Sequence, residues 1–140
     1  VYMNTKDMLK KLAALLTSFS LHPQFTKELA TLLKKDLKGK ESVFFKMLST
    51  QLGNIKNFGK NVYKVDSNEI LQGADGHYYS IHLQNSQFNV RLIVYIDDNN
   101  LPYFLCAFYE RAGKNRTDYS TYTKIMQQRM NYFLGDDNND

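Results

Sequence analysis

Eight side chains in the second half of the chain could together manage a phosphodiester: His82, Arg91, Tyr109, Arg111, Lys114, Arg116, Tyr119 and Tyr122. Arginine is poor filler for a core, but it is a planar, permanently charged fork that fits a phosphate. RNA carries its own nucleophile in the ribose 2′-hydroxyl. A protein that cuts RNA need only align that hydroxyl, accept its proton, stabilise the phosphoryl charge and protonate the leaving oxygen. Arg91 and Arg111 suit the charge, and His82 or Tyr119 suits the proton. Lys114 and Arg116 suit the backbone phosphates, while Tyr109 and Tyr122 offer rings on which unpaired bases can stack. Each group also has a structural reading. Arg91 can pair with Asp97 or Glu110, the loop charges can simply be solvated, His82 can be a satisfied sheet histidine, and Tyr119 or Tyr122 can fasten the last helix to the sheet.

Other chemistries find less support. His22, His77, His82 and Cys106 show none of the usual metal-ligand spacings, so no metal is expected, nor any cofactor. Gly73, Gly76 and Gly113 form neither a phosphate-cradling loop nor a dinucleotide fingerprint. Cys106 sits inside an apolar run, where a lone thiol behaves as a small hydrophobe. His22 precedes Pro23 and reads as structural.

These residues need a scaffold, and 140 residues suffice for one domain with an ordinary core. No apolar run approaches the roughly 18 residues of a membrane helix. Neither a secretory signal nor a disulfide is read, which suits the cytoplasm. The net charge of +4 conceals an asymmetry. Residues 1–64 carry twelve lysines and four acids, giving +8; residues 65–140 carry six basic and ten acidic groups, giving −4. All four arginines lie in the second half.

Hydrophobic spacing predicts an amphipathic helix over Asn4–Leu16 and a short strand within Thr17–Leu21. A helix follows from Pro23 to about Gly39, then another from about Ser42 to Gly53, together forming a helical hairpin. Val62–Val65 and Glu69–Leu71 read as short extended pieces. Tyr78–Leu83, Val90–Ile96 and Tyr103–Tyr109 read as strands, the last two joined by the turn Asp97–Asn100. A closing helix runs from Asp118 or Ser120 to about Leu134. The whole is an α+β domain over 1–135, in which 1–16 is an additional N-terminal helix and 136–140 a disordered acidic tail. The helices are expected on one face of an antiparallel sheet of about four strands. Alternation along the strands puts Arg91 with Ile93 and Tyr95, His82 with Tyr78 and Ser80, and Tyr109 with Arg111. An antiparallel register could gather His82, Arg91, Tyr109 and Arg111 on one side.

The order of these segments resembles the RelE/ParE superfamily of bacterial toxins, over roughly residues 17–134. SLHPQFTKEL (Ser20–Leu29) is similar to the family's first strand running into its first helix. YYSIHL (Tyr78–Leu83), VRLIVYI (Val90–Ile96) and YFLCAFYER (Tyr103–Arg111) resemble the consecutive strands, and AGKNRTDYSTY (Ala112–Tyr122) the basic turn before the closing helix. The resemblance implies a RelE-like fold and the toxin of a type II toxin–antitoxin pair. Such a toxin is an mRNA interferase, a metal-independent endoribonuclease acting in the cytoplasm, at the ribosome, with a cognate antitoxin as partner. It matches Arg91 and Arg111 to the family's strand arginines and Tyr119 to its late tyrosine, with Tyr122 as the alternative. Where the family often brings lysines, this chain brings Ser80, His82 and Gln84. Two alternatives stand beside that reading: a ParE-like inhibitor of DNA gyrase, and a non-catalytic module that binds nucleic acid or protein.

Overall fold

Pro23 and the side chain before it set the first well-defined helix boundary. In the computed structural model, which describes residues 5–71, 76–110 and 122–135, helix α1 spans Thr5–Leu16 and a two-residue strand β1 spans Ser20–Leu21. Helix α2, Pro23–Lys34, then begins with His22 as its cap: Gln24 N donates to His22 Nδ1 at 3.0 Å. That contact satisfies one amide that the first helical turn leaves without a partner, and Pro23 has no amide to satisfy. Phe25, Leu29, Leu32 and Leu33 recur at helical spacing and are buried.

Helix α3 spans Glu41–Phe58 and runs straight through Gly53, where the sequence suggests a stop. A glycine inside a helix costs only about 1 kcal/mol, and burial of Leu52 and Ile55 on either side offsets it. Termination falls instead on Gly59, at φ 52° and ψ −127°. A Cβ there would lie 2.3 Å from Asn100 Oδ1, the same oxygen that accepts from Lys60 N at 3.0 Å. The following residues, Gly59–Lys64, wind as a 3₁₀ turn that buries Val62, so the expected extended piece at Val62–Val65 is not a strand.

Four more strands follow: β2 (Glu69–Ile70), β3 (Tyr78–Gln84), β4 (Asn89–Ile96) and β5 (Pro102–Tyr109). Their order is β1-β5-β4-β3-β2, with β1 parallel to β5 and every other pair antiparallel. The sheet is therefore five-stranded and mixed. The turn between β4 and β5 forms as its composition suggests: Asp97 Oδ1 accepts from Asn99 N and Leu101 N, and Asn100 takes the left-handed φ of 63° that asparagine tolerates.

Helices cover both faces of this sheet. Leu83, Val90, Leu92, Val94 and Phe104 face the core shared with α1, α2 and α3. On the other face Tyr78, Ile93 and Cys106 pack with Met126 and Met130 of helix α4, Thr123–Leu134. A register shift at Ile93/Val94 leaves Leu105 as an extra residue, and it joins Cys106 under α4. A bulge of this kind bends its strand and re-aims side chains. The expectation of helices on a single face fails for α4, because β4 and this bulge make both faces apolar. Beyond its pairing with β1, the edge of β5 is closed by side chains. Glu28 of α2 accepts from Ala107 N at 3.0 Å and binds Arg129 of α4, whose guanidinium also donates to Leu105 O at 2.7 Å.

Candidate functional site

The register decides which polar side chains meet. His82 lies directly opposite Arg91, and Arg91 lies opposite Phe108. One step along, Gln84 is opposite Asn89, whose carbonyl accepts from Glu110 N at 2.8 Å. Residues two apart share a face. These rows thus form one patch at the end of the α4-bearing face: His82, Arg91 and Phe108 in one row, Gln84, Asn89 and Glu110 in the next. Glu69, opposite Ser80, extends the patch across β2. Two charged members are almost wholly enclosed, Arg91 at 8 % exposure and Glu110 at 7 %.

Each polar group in the patch has partners of a particular kind. Arg91 Nη1 donates to Gln84 Oε1 at 3.1 Å and to Asn89 Oδ1. These partners are amides, so the guanidinium is anchored without being neutralised, and the alternative of an ion pair with Asp97 or Glu110 is not realised. Its Nε is buried with no protein partner. His82 Nε2 lies 3.0 Å from Glu69 Oε2. A carboxylate accepting here requires the proton on Nε2, which leaves the lone pair on Nδ1. That Nδ1 is also buried without a partner, as is Glu110 Oε1. A buried polar atom with no hydrogen bond costs about 1–3 kcal/mol. Among the described residues the three atoms of this kind all belong to this patch.

The electrostatics leave His82 neutral near pH 7. Burial pushes its pKa below the ordinary 6.5 and the nearby Arg91 charge pushes the same way, while the hydrogen bond to Glu69 and the charges of Glu69 and Glu110 oppose them. A neutral imidazole with one nitrogen held by a carboxylate has the form of an oriented general base. Cys106 cannot act as a nucleophile beside it, since burial pushes its thiol up to about 12.

The other expected site residues divide. Tyr109 is opposite Val90 and packs against the helix-bearing core, on the far side of the sheet from Arg91. The one-residue offset gives its place in the patch to Phe108. Tyr122 is stacked on Phe108, ring centroids 4.6 Å apart and planes 19° apart, so it fastens the start of α4 to β5. Arg111, Lys114, Arg116 and Tyr119 lie outside the described residues. The sequence reading missed Glu69 and Asn89 as site residues and treated Gln84 and Glu110 only in passing. Alternation along β3 and β5 does place Gln84 with His82 and Glu110 with Phe108. No signal in the sequence pairs Glu69 with His82.

Comparison of the chain with family models, with curated proteins and with solved structures gave no match, so what the site does must be argued from its own residues.

Proposed function

We propose that this protein is the toxin of a bacterial type II toxin–antitoxin pair, a metal-independent endoribonuclease that cuts mRNA. The observation that carries this reading is the direct pairing of His82 with Arg91 on one sheet face, with Glu69 holding the far nitrogen of the imidazole. In the proposed reaction the 2′-hydroxyl gives its proton to His82 Nδ1 as its oxygen attacks the adjacent phosphorus. Arg91 stabilises the extra negative charge on the phosphoryl oxygens. The bond from phosphorus to the 5′-oxygen breaks, that oxygen takes a proton, and a 2′,3′-cyclic phosphate remains. Tyr119 is assigned to that last proton, Arg111 to the phosphoryl charge alongside Arg91, and Lys114 and Arg116 to the backbone phosphates, from the sequence alone. His82 Nδ1 is shielded from solvent, so the reaction requires the patch to open as RNA binds. The ribosome and an antitoxin that covers the same face are the partners this reading implies, and the cytoplasm is where it places them.

Brief induction in bacteria followed by mapping of transcript ends tests it. New internal ends and growth arrest are expected, and an Arg91→Ala, Arg111→Ala double variant should lose both. Arrest unchanged in that variant refutes the assignment of the two arginines. Double-strand DNA breaks with intact transcripts would replace the reading with gyrase inhibition. RNA binding that leaves the strand whole would replace it with a binding module.

A further inference from the structure

A cleft of about 440 Å³ opens at the outer edge of the sheet, and it shares His82 with the patch. It exists because β2 pairs with only two residues of β3, so that Ile81–Gln84, paired with β4 on one side, have no strand on the other among the described residues. Buried side chains replace the missing strand. Asn68 Oδ1 accepts from His82 N at 2.8 Å, Asn68 Nδ2 donates to Gln51 Oε1 at 2.9 Å, and Gln51 Nε2 donates to Asp66 Oδ2 at 2.8 Å. Gln51 and Asn68 are both buried, so this chain of amides is a rigid wall. Asn54 also donates to Asp66 Oδ2. Both bonds to Asp66 land on one oxygen, which leaves Oδ1 with its full accepting capacity. Thr50, Ser67 and Gln84 line the same space, and Lys46 is the one cation among the described residues that line it.

We infer that this cleft is a ribonucleotide subsite, in which Asp66 accepts from the ribose 2′-hydroxyl and Lys46 meets the phosphate. The inference rests on the RNA reading above. A carboxylate repels a second anion but accepts readily from a sugar hydroxyl, as the acidic residue of dinucleotide-binding folds does from the ribose 2′-hydroxyl. The cation across the cleft then determines where the phosphate goes. His82 borders both spaces, so a nucleotide held here by Asp66 is the neighbour of the one whose 2′-hydroxyl is activated at the imidazole. Deoxyribose would forfeit one hydrogen bond to a charged acceptor, which is how the site would tell RNA from DNA.

The test is titration of the ¹⁵N-labelled protein with adenosine 3′-monophosphate, its 2′-deoxy counterpart and inorganic phosphate, followed by amide shifts. The ribonucleotide should move the amides of Thr50, Ser67, His82 and Gln84 and bind about tenfold more tightly than the deoxy form. Asp66→Asn should erase that preference; asparagine accepts the left-handed φ of 53° at this position, so the backbone is retained. Lys46→Gln, at an exposed position, should weaken both nucleotides alike by about fivefold. Equal binding of the two sugars, phosphate alone matching the nucleotide, or shifts confined to residues outside the cleft overturns the inference. Cleaved transcripts without cleft shifts refute the subsite alone, and cleft binding with intact transcripts refutes only the catalytic reading.

Discussion

Replacing Arg129 by methionine should lower stability by about 2–3 kcal/mol without touching the His82–Arg91 patch. The guanidinium binds Glu28 through two 2.9 Å contacts and donates to Leu105 O at 2.7 Å, while Glu28 also receives Ala107 N. Removing one partner of a fully buried pair costs about 3–5 kcal/mol, whereas an exposed pair is worth about 1 kcal/mol or less. Here the side chains are 15 % and 31 % exposed, which places the pair between those limits. The loss is more than Coulombic, because the Leu105 carbonyl and the Glu28 carboxylate would each keep only part of their hydrogen bonding at the edge of β5. Methionine retains much of the apolar stem, so the change isolates the charged head. For a chain of this size about 2–3 kcal/mol corresponds to a fall in Tm of roughly 6–10 °C. Urea denaturation of the wild type, Arg129→Met, Glu28→Gln and the double variant gives the coupling energy of the pair. A coupling of about 1.5 kcal/mol or more is expected. A coupling below about 0.5 kcal/mol would show that the pair behaves as a surface contact, and the account of how α2 and α4 are joined over β5 would fail.

The pH dependence of His82 can be assigned a sign. Its folded pKa lies below 6.5, so the unfolded chain takes the proton first as pH falls. The stability this residue contributes is present above pH 6.5 and is lost as pH falls through its lowered folded value. Cleavage should follow the same limb, with kcat/KM rising with pH to a plateau. Arg91→Gln removes a cause that lowers the pKa and should move the limb to higher pH, while Glu69→Gln removes causes that raise it and should move the limb lower. Both limbs moving together would exclude His82 as the base. The two helix glycines of α3 and its end should respond oppositely to alanine. Gly53→Ala meets nothing within 4 Å and should stabilise by about 0.5–1 kcal/mol. Gly59→Ala collides with Asn100 at a positive φ and should destabilise by about 2 kcal/mol; urea midpoints shifting in one direction for both would contradict this.

Much of the scaffold was legible in local patterns. The His22-Pro23 helix start, the apolar spacing of α2, the Asp97–Asn100 turn and the alternation in β3, β4 and β5 all depend on near neighbours in the chain, and all four are present. The end of α3 was not legible, because Gly53 and Gly59 look alike until Asn100, about forty residues away, occupies the space beside one of them. The second helical face was not legible either. Ile93 and Cys106 read as strand interior whichever face is covered, and only the bulge at Leu105 shows that α4 must lie over them.

For the site, the sequence alone determined the residue types: an arginine within a strand, a histidine in the strand before it, and a thiol confined to an apolar run. Side-chain alternation also fixed which residues of one strand share a face. What it left open was the register between strands, where a slip of one residue exchanges the two faces. The tertiary structure set His82 against Arg91, turned Tyr109 away in favour of Phe108, and brought Glu69 to the imidazole from a two-residue strand. Those outcomes depend on pairings between distant segments, which side-chain periodicity within a segment does not encode.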